Sequence, residues 1–152
     1  MSLIYNGVLN LILSGQIDLT KNIKMMLLNE FYLPDINHTW NDIIRKGVQV
    51  RGNGYTRGGE VVTGLNINNG VLSANNVTWR NISLERVRWA LIYQETEDEN
   101  KPNTAIAIYD LGFTKSFKNR EVFSVIWGVG GRRFGPMIKF KQRTERTFIP
   151  TC

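Results

Sequence analysis

The stretch Val61-Val62-Thr63-Gly64-Leu65-Asn66-Ile67-Asn68-Asn69-Gly70-Val71-Leu72-Ser73-Ala74-Asn75-Asn76-Val77-Thr78-Trp79 decides the fold class. It holds two apolar runs, 61–67 and 71–79, separated by Asn69-Gly70. A type I′ turn needs positive φ at both central residues, and Asn-Gly meets that need readily, so the stretch predicts a β-hairpin. The same texture continues outward. Glycines punctuate the chain at 52, 54, 58, 59, 64 and 70, and alternating apolar residues recur at 87–93, 104–109 and 122–129. Residues 95–103 carry four acids and Pro102 and predict a solvated loop. Short strands joined by polar turns predict a mainly β chain, a single β-sandwich of jelly-roll type.

Upstream of this region the pattern is mixed. Val8, Leu11 and Ile12 share one face of a helix over residues 6–14, with Asn6 placed to cap it and Gly15 to end it. Ile23, Met25 and Leu27 alternate with Lys24 and Met26, which favours a strand over a helix. Pro34, Asp35 and Asn37 mark a loop. Thr39 and Asp42 have capping-box spacing for a short helix over 39–46 that ends at Gly47. The predicted core is Trp79, Trp89, Ile92, Ile106, Ile108, Val125 and Trp127.

The chain has 152 residues, the size of one domain. With 42% hydrophobic and 21% charged residues it can bury a core without staples, which excludes compositional disorder. A single cysteine, Cys152, excludes an internal disulfide or a Cys-based zinc site, and a single histidine, His38, excludes a His-rich metal cluster. No apolar run reaches the ~20 residues that cross a bilayer. Residues 8–17 lack the basic flank and cleavage site of a signal peptide. The expectations are therefore no cofactor, no metal and no membrane partner.

The net charge of +6 is unevenly placed. Residues 1–130 hold 13 Lys and Arg against 12 Asp and Glu. Residues 131–152 hold Arg132, Arg133, Lys139, Lys141, Arg143 and Arg146 against Glu145 alone, which leaves +5. The expected division is a β-sandwich domain over 1–131 and a basic arm or final strand over 132–152. Such an arm suits a partner of negative surface, either nucleic acid or an acidic protein face, while a solvated tail is the plainer alternative. Its candidate interface residues are Arg132, Arg133, Phe134, Ile138, Lys139, Phe140, Lys141, Arg143 and Phe148. The glycines at 130, 131 and 135 loosen the junction, so the arm is expected to reach a neighbouring subunit.

Catalytic signals are weak. His38 sits in a Pro/Asn/Thr loop and Cys152 is far from it in sequence, so no nucleophile–base pair is indicated and the chain is not expected to be an enzyme. Gly52-x-Gly54-x-x-x-Gly58-Gly59 lacks the Lys-Ser/Thr of a P-loop and the helix of a dinucleotide site, so it predicts a tight turn with at least one positive φ and Tyr55 packed on the body. Trp79 and Trp89 lie close to Arg80, Arg86 and Arg88, as in single-strand-binding barrels, but both tryptophans fall inside apolar segments, which favours packing over base stacking.

Taken in order, several short motifs resemble a family. Gly54-Tyr55-Thr56-Arg57-Gly58-Gly59 matches a G-Y-T-x-G-G element. Asp18-Leu19 with Ile23-Lys24-Met25-Met26-Leu27 fits its opening. Val77-Thr78-Trp79, then Arg88-Trp89-Ala90-Leu91-Ile92-Tyr93, fits its middle, and Asp110-Leu111-Gly112 with Trp127 approximates its close. Over roughly residues 3–130 the chain resembles small virion structural proteins of tailed bacteriophages, often labelled tail-fibre or capsid-associated. Family members usually end soon after the late tryptophan, whereas this chain adds the basic arm. The resemblance implies a non-catalytic, multi-copy role on a virus particle assembled in the host cytoplasm. A capsid decoration or cement protein contacting the major capsid protein is the first expectation and a tail-fibre or adaptor protein the second. A nucleic-acid-binding β-barrel is a more distant alternative.

Overall fold

The computed structural model describes residues 2–69, 71–126 and 138–139. In chain order the elements are β1 (Ser2–Ile4), α1 (Asn6–Leu13), β2 (Ile23–Asn29), α2 (Trp40–Arg45), β3 (Gly52–Asn53), β4 (Glu60–Val61), β5 (Asn66–Asn68), β6 (Val71–Ser73), β7 (Val77–Gln94), β8 (Thr104–Val125) and β9 (Ile138–Lys139). The larger sheet runs β1-β8-β7-β2-β4, with β3 also paired to β7; the smaller runs β5-β6-β9. Every described strand pair is antiparallel. The protein is mainly β and sandwich-like, with two short helices near the N-terminus.

The larger sheet is buried on both faces. Met25 and Leu27 belong to one apolar cluster, Met26 and Leu28 to another. Successive strand residues point to opposite faces, so the clusters lie on the two sides of β2. Val8 of α1, Val50, Val62 and Leu72 of β6 complete the first cluster, and Tyr5, Tyr32, Val48 and Ile43 of α2 complete the second. Of the predicted core, Trp79, Trp89, Ile92, Ile106, Ile108 and Val125 are buried, while Trp127 lies outside the described residues.

The predicted hairpin is present: Asn68 pairs with Val71 across the turn, and Asn69 has φ 51°. The predicted run 71–79, however, divides into β6 and the start of β7, and 87–93 is the far end of that same 18-residue strand. Runs 104–109 and 122–125 likewise fuse into the 22-residue β8. Bulges make these lengths possible. From Val77 to Val87 the residues of the first cluster are Val77, Trp79, Ile82, Leu84 and Val87, with the exposed pairs Arg80-Asn81 and Glu85-Arg86 between them. Each exposed pair adds one residue to the two-residue period, and Asn81 and Arg86 take it up at φ 54° and 56°. The register against β8 shifts at those places. Without the extra residue every later side chain would face the wrong side. Asn119 and Arg120 play the same part in β8, at φ 60° and 59°.

The helices follow their capping chemistry. Thr39 and Asp42 form the expected capping box on α2. Asn6 does not cap α1: Tyr5 is the N-cap residue, and the Asn6 amide donates instead to the Asn37 side chain at 2.8 Å. That contact, together with the Asn6 N–H bonded to the Ile36 carbonyl at 2.9 Å, ties the helix start to the loop ahead of α2.

Candidate functional site

The glycine-rich turn after β3 is held to the sheet by a compact polar network. Gly54, Gly58 and Gly59 all have positive φ, at 78°, 95° and 84°. A Cβ on Gly59 would collide with the Met25 carbonyl, and one on Gly54 with the Asn81 carbonyl, so the turn lies directly against two strand backbones. The Tyr55 hydroxyl accepts from the Leu27 N–H and donates to Gln49 Oε1, both at 3.1 Å. The same Gln49 oxygen accepts the Gly58 N–H at 2.7 Å, and the Tyr93 hydroxyl donates to the Gly58 carbonyl at 2.6 Å. Burial pushes the Tyr93 hydroxyl up to about 12 and the Tyr55 hydroxyl further still, so both remain donors throughout the neutral range.

Arg57 of this turn and Arg51, just ahead of β3, line one cleft. Arg51, Arg57, Val50, Gly52 and Tyr55 line a cleft of about 370 Å³ at the outer edge of the sheet. A much smaller recess, about 20 Å³, lies beside it over Met26, Leu28 and Ile43 and shares both arginines. Among the described residues no acidic side chain lines either space. Among the described residues neither guanidinium has an ion-pair or hydrogen-bond partner, although Glu60 shares the surroundings of the Tyr55 hydroxyl with Arg57. Two arginines of β7 are paired instead: Arg86 with Glu30 at 3.1 Å and Arg88 with Asp110 at 2.8 Å.

Opposite charge is gathered at the β7–β8 connection. Glu95, Glu97, Asp98 and Glu99 lie within five residues there, all exposed. Glu95 is held by Lys24 at 2.8 Å and Glu97 by the Asn22 amide at 3.2 Å. Asp98 accepts only from the Asn100 N–H through its side chain, in a local turn. Among the described residues no group of three His, Cys, Asp or Glu is arranged to hold a metal ion.

His38 has a local structural partner, as its loop position suggests. Its Nδ1 lies 2.9 Å from the Tyr32 hydroxyl, which lies 2.8 Å from the buried Tyr5 hydroxyl. Burial raises the Tyr32 hydroxyl to about 12. This chain of hydrogen bonds links the Tyr5 and Tyr32 phenols to His38 beneath α2.

Of the interface residues read from sequence, Arg132, Arg133, Phe134, Phe140, Lys141, Arg143 and Phe148 lie outside the described residues. For Ile138 and Lys139 only the backbone is described, and it pairs with Leu72 and Val71 of the same chain. That pairing gives the final-strand reading of the segment a contact within its own fold. Arg51, Arg57 and Gln49 were not singled out by sequence reasoning. The available signal was local charge: residues 1–94 carry nine basic and six acidic residues, an excess that the acidic connection cancels when the whole body is averaged.

No protein-family model, curated protein or solved structure matches the chain.

Proposed function

We propose that the protein is a non-catalytic structural component of a tailed phage particle, a capsid decoration or cement protein that strengthens the head lattice in many copies. The observation that carries this reading is the separation of charge on a firmly built β body. An arginine cleft sits on one sheet edge, an acidic tip on the β7–β8 connection, and five net positive charges in the last 22 residues. A unit that binds a lattice needs several distinct contact surfaces on a scaffold that does not deform. The doubly covered sheet supplies the scaffold, and the motif order described above supplies the phage assignment. Many weak contacts on one lattice gain effective concentration from one another.

The acidic face of the major capsid protein is the partner proposed for the basic segment, whose residues 138–139 pair with β6. Truncation after Gly131 tests this. A shortened protein that stays folded but no longer binds particles supports the connector role; one that unfolds makes the segment part of the domain. Quantitative mass spectrometry of purified particles tests the wider reading. The expected result is a fixed, high stoichiometry relative to the major capsid protein. Recovery of the protein only in the particle-free fraction contradicts it, and a few copies co-purifying with isolated tails favours the adaptor role.

A further inference from the structure

We propose that Arg51 and Arg57 form a carboxylate-binding cleft that receives the acidic β7–β8 tip of a second copy of this chain. The inference deepens the multi-copy reading and rests on it, naming one of the contacts between copies.

Three observations lead to a carboxylate ligand and to this source of it. The cleft of about 370 Å³ carries two guanidinium groups and no acid among its lining residues. An arginine pair with no ion-pair partner among the described residues is suited to paired, bidentate recognition of planar carboxylates. The cleft is also preorganised: Tyr55, Gln49 and Tyr93 fix the turn from below, so little ordering cost falls on docking. Finally, the chain carries the complementary group. At its acidic tip Glu95 and Glu97 are occupied by Lys24 and Asn22, whereas Asp98 and Glu99 project with no cation bound among the described residues.

Within one copy no tip carboxylate pairs with Arg51 or Arg57. The contact is therefore between copies, and it joins two different surfaces. Such a heterologous contact propagates from copy to copy, closing into a ring or continuing as a lattice. Exposed ion pairs are individually weak and screened by salt, so the association should be modest in dilute solution and steeply salt-dependent.

Sedimentation velocity of the full chain, across concentration at low and at high salt, reads this directly. The expected result is concentration-dependent association that recedes as salt rises. The double variants R51E/R57E and D98K/E99K should each weaken association by about ten-fold or more, while an equimolar mixture of the two regains it. Because both pairs are exposed, far-UV spectra should match the parent; R51Q/R57Q gives the same reading if a charge-reversed variant does not fold. A parent chain that stays monomeric at every concentration overturns the proposal, as do variants that associate like the parent or a mixture that regains nothing. Binding of inorganic phosphate or an oligonucleotide at the arginines without self-association also overturns it, by assigning the cleft to another anion. Because the test is made in solution, its failure leaves the particle localisation of the protein standing.

Discussion

Replacing Tyr55 with phenylalanine removes one oxygen and keeps the ring, which makes it the sharpest probe of the glycine turn. That oxygen accepts the N–H of Leu27, a residue with no exposed surface, and donates to Gln49 Oε1. In Tyr55→Phe the Leu27 N–H is left buried without its acceptor, a penalty of about 1–3 kcal/mol. Gln49 keeps its bond from the Gly58 N–H and loses only one of two donors, a smaller effect. The expected loss is thus about 2–3 kcal/mol, which for a chain of this size lowers the thermal midpoint by roughly 4–12 °C. Urea unfolding at pH 7 should show a lower midpoint with an unchanged slope, since the surface exposed on unfolding is the same. Amide exchange at Leu27 should accelerate more than at Met26. A midpoint within about 0.5 kcal/mol of the parent, the spread of an ordinary surface substitution, would refute the claim that this hydroxyl fastens the turn to β2.

Gly59→Ala and Gly112→Ala form a matched pair. Both positions have strongly positive φ, 84° and 82°, but only at Gly59 does an added Cβ meet backbone, the Met25 carbonyl. Calorimetry should show a loss of about 1–2 kcal/mol for Gly112→Ala, the left-handed penalty alone, and a clearly larger one for Gly59→Ala. Trp79→Ala should cost about 3–5 kcal/mol in urea titrations, since the indole is buried in the first cluster and stacked at 6.0 Å on Phe123. Alkaline stability follows from the phenols. Tyr32 and Tyr93 hold their protons more tightly folded than unfolded, so their stabilisation is complete below the ordinary tyrosine value near pH ~10 and is lost as pH rises toward about 12. Absorbance of phenolate at 295 nm should therefore rise in step with loss of far-UV signal in that window, rather than ahead of it.

The sequence carried the hairpin at Asn69, the capping box at Thr39 and the glycine turn because each is a short-range signal: the residues that make the geometry are adjacent in the chain. It carried the buried tryptophans because they lie in apolar segments. It did not carry the length of β7. Strict alternation breaks at Arg80-Asn81 and Glu85-Arg86, and a broken period is what a strand end looks like until pairing with β8 shows the extra residues absorbed as bulges. The arginine cleft was concealed for a different reason. Arg51 and Arg57 meet across a turn whose closure depends on Gln49, Tyr55 and Tyr93, and Tyr93 lies 35 residues along the chain from the Gly58 carbonyl it holds. A net charge summed over 130 residues then set these arginines against acids located elsewhere.

The central claim is that this β body works as a repeated unit on a particle, and electron cryomicroscopy of particles purified from the cells that express the chain tests it most directly. With an antibody fragment bound to the loop at 33–37 ahead of α2, the account predicts label at regular lattice positions over the head, with density beneath it that fits the two-sheet body. Particles that carry no label, from cells in which the protein is abundant, would contradict it.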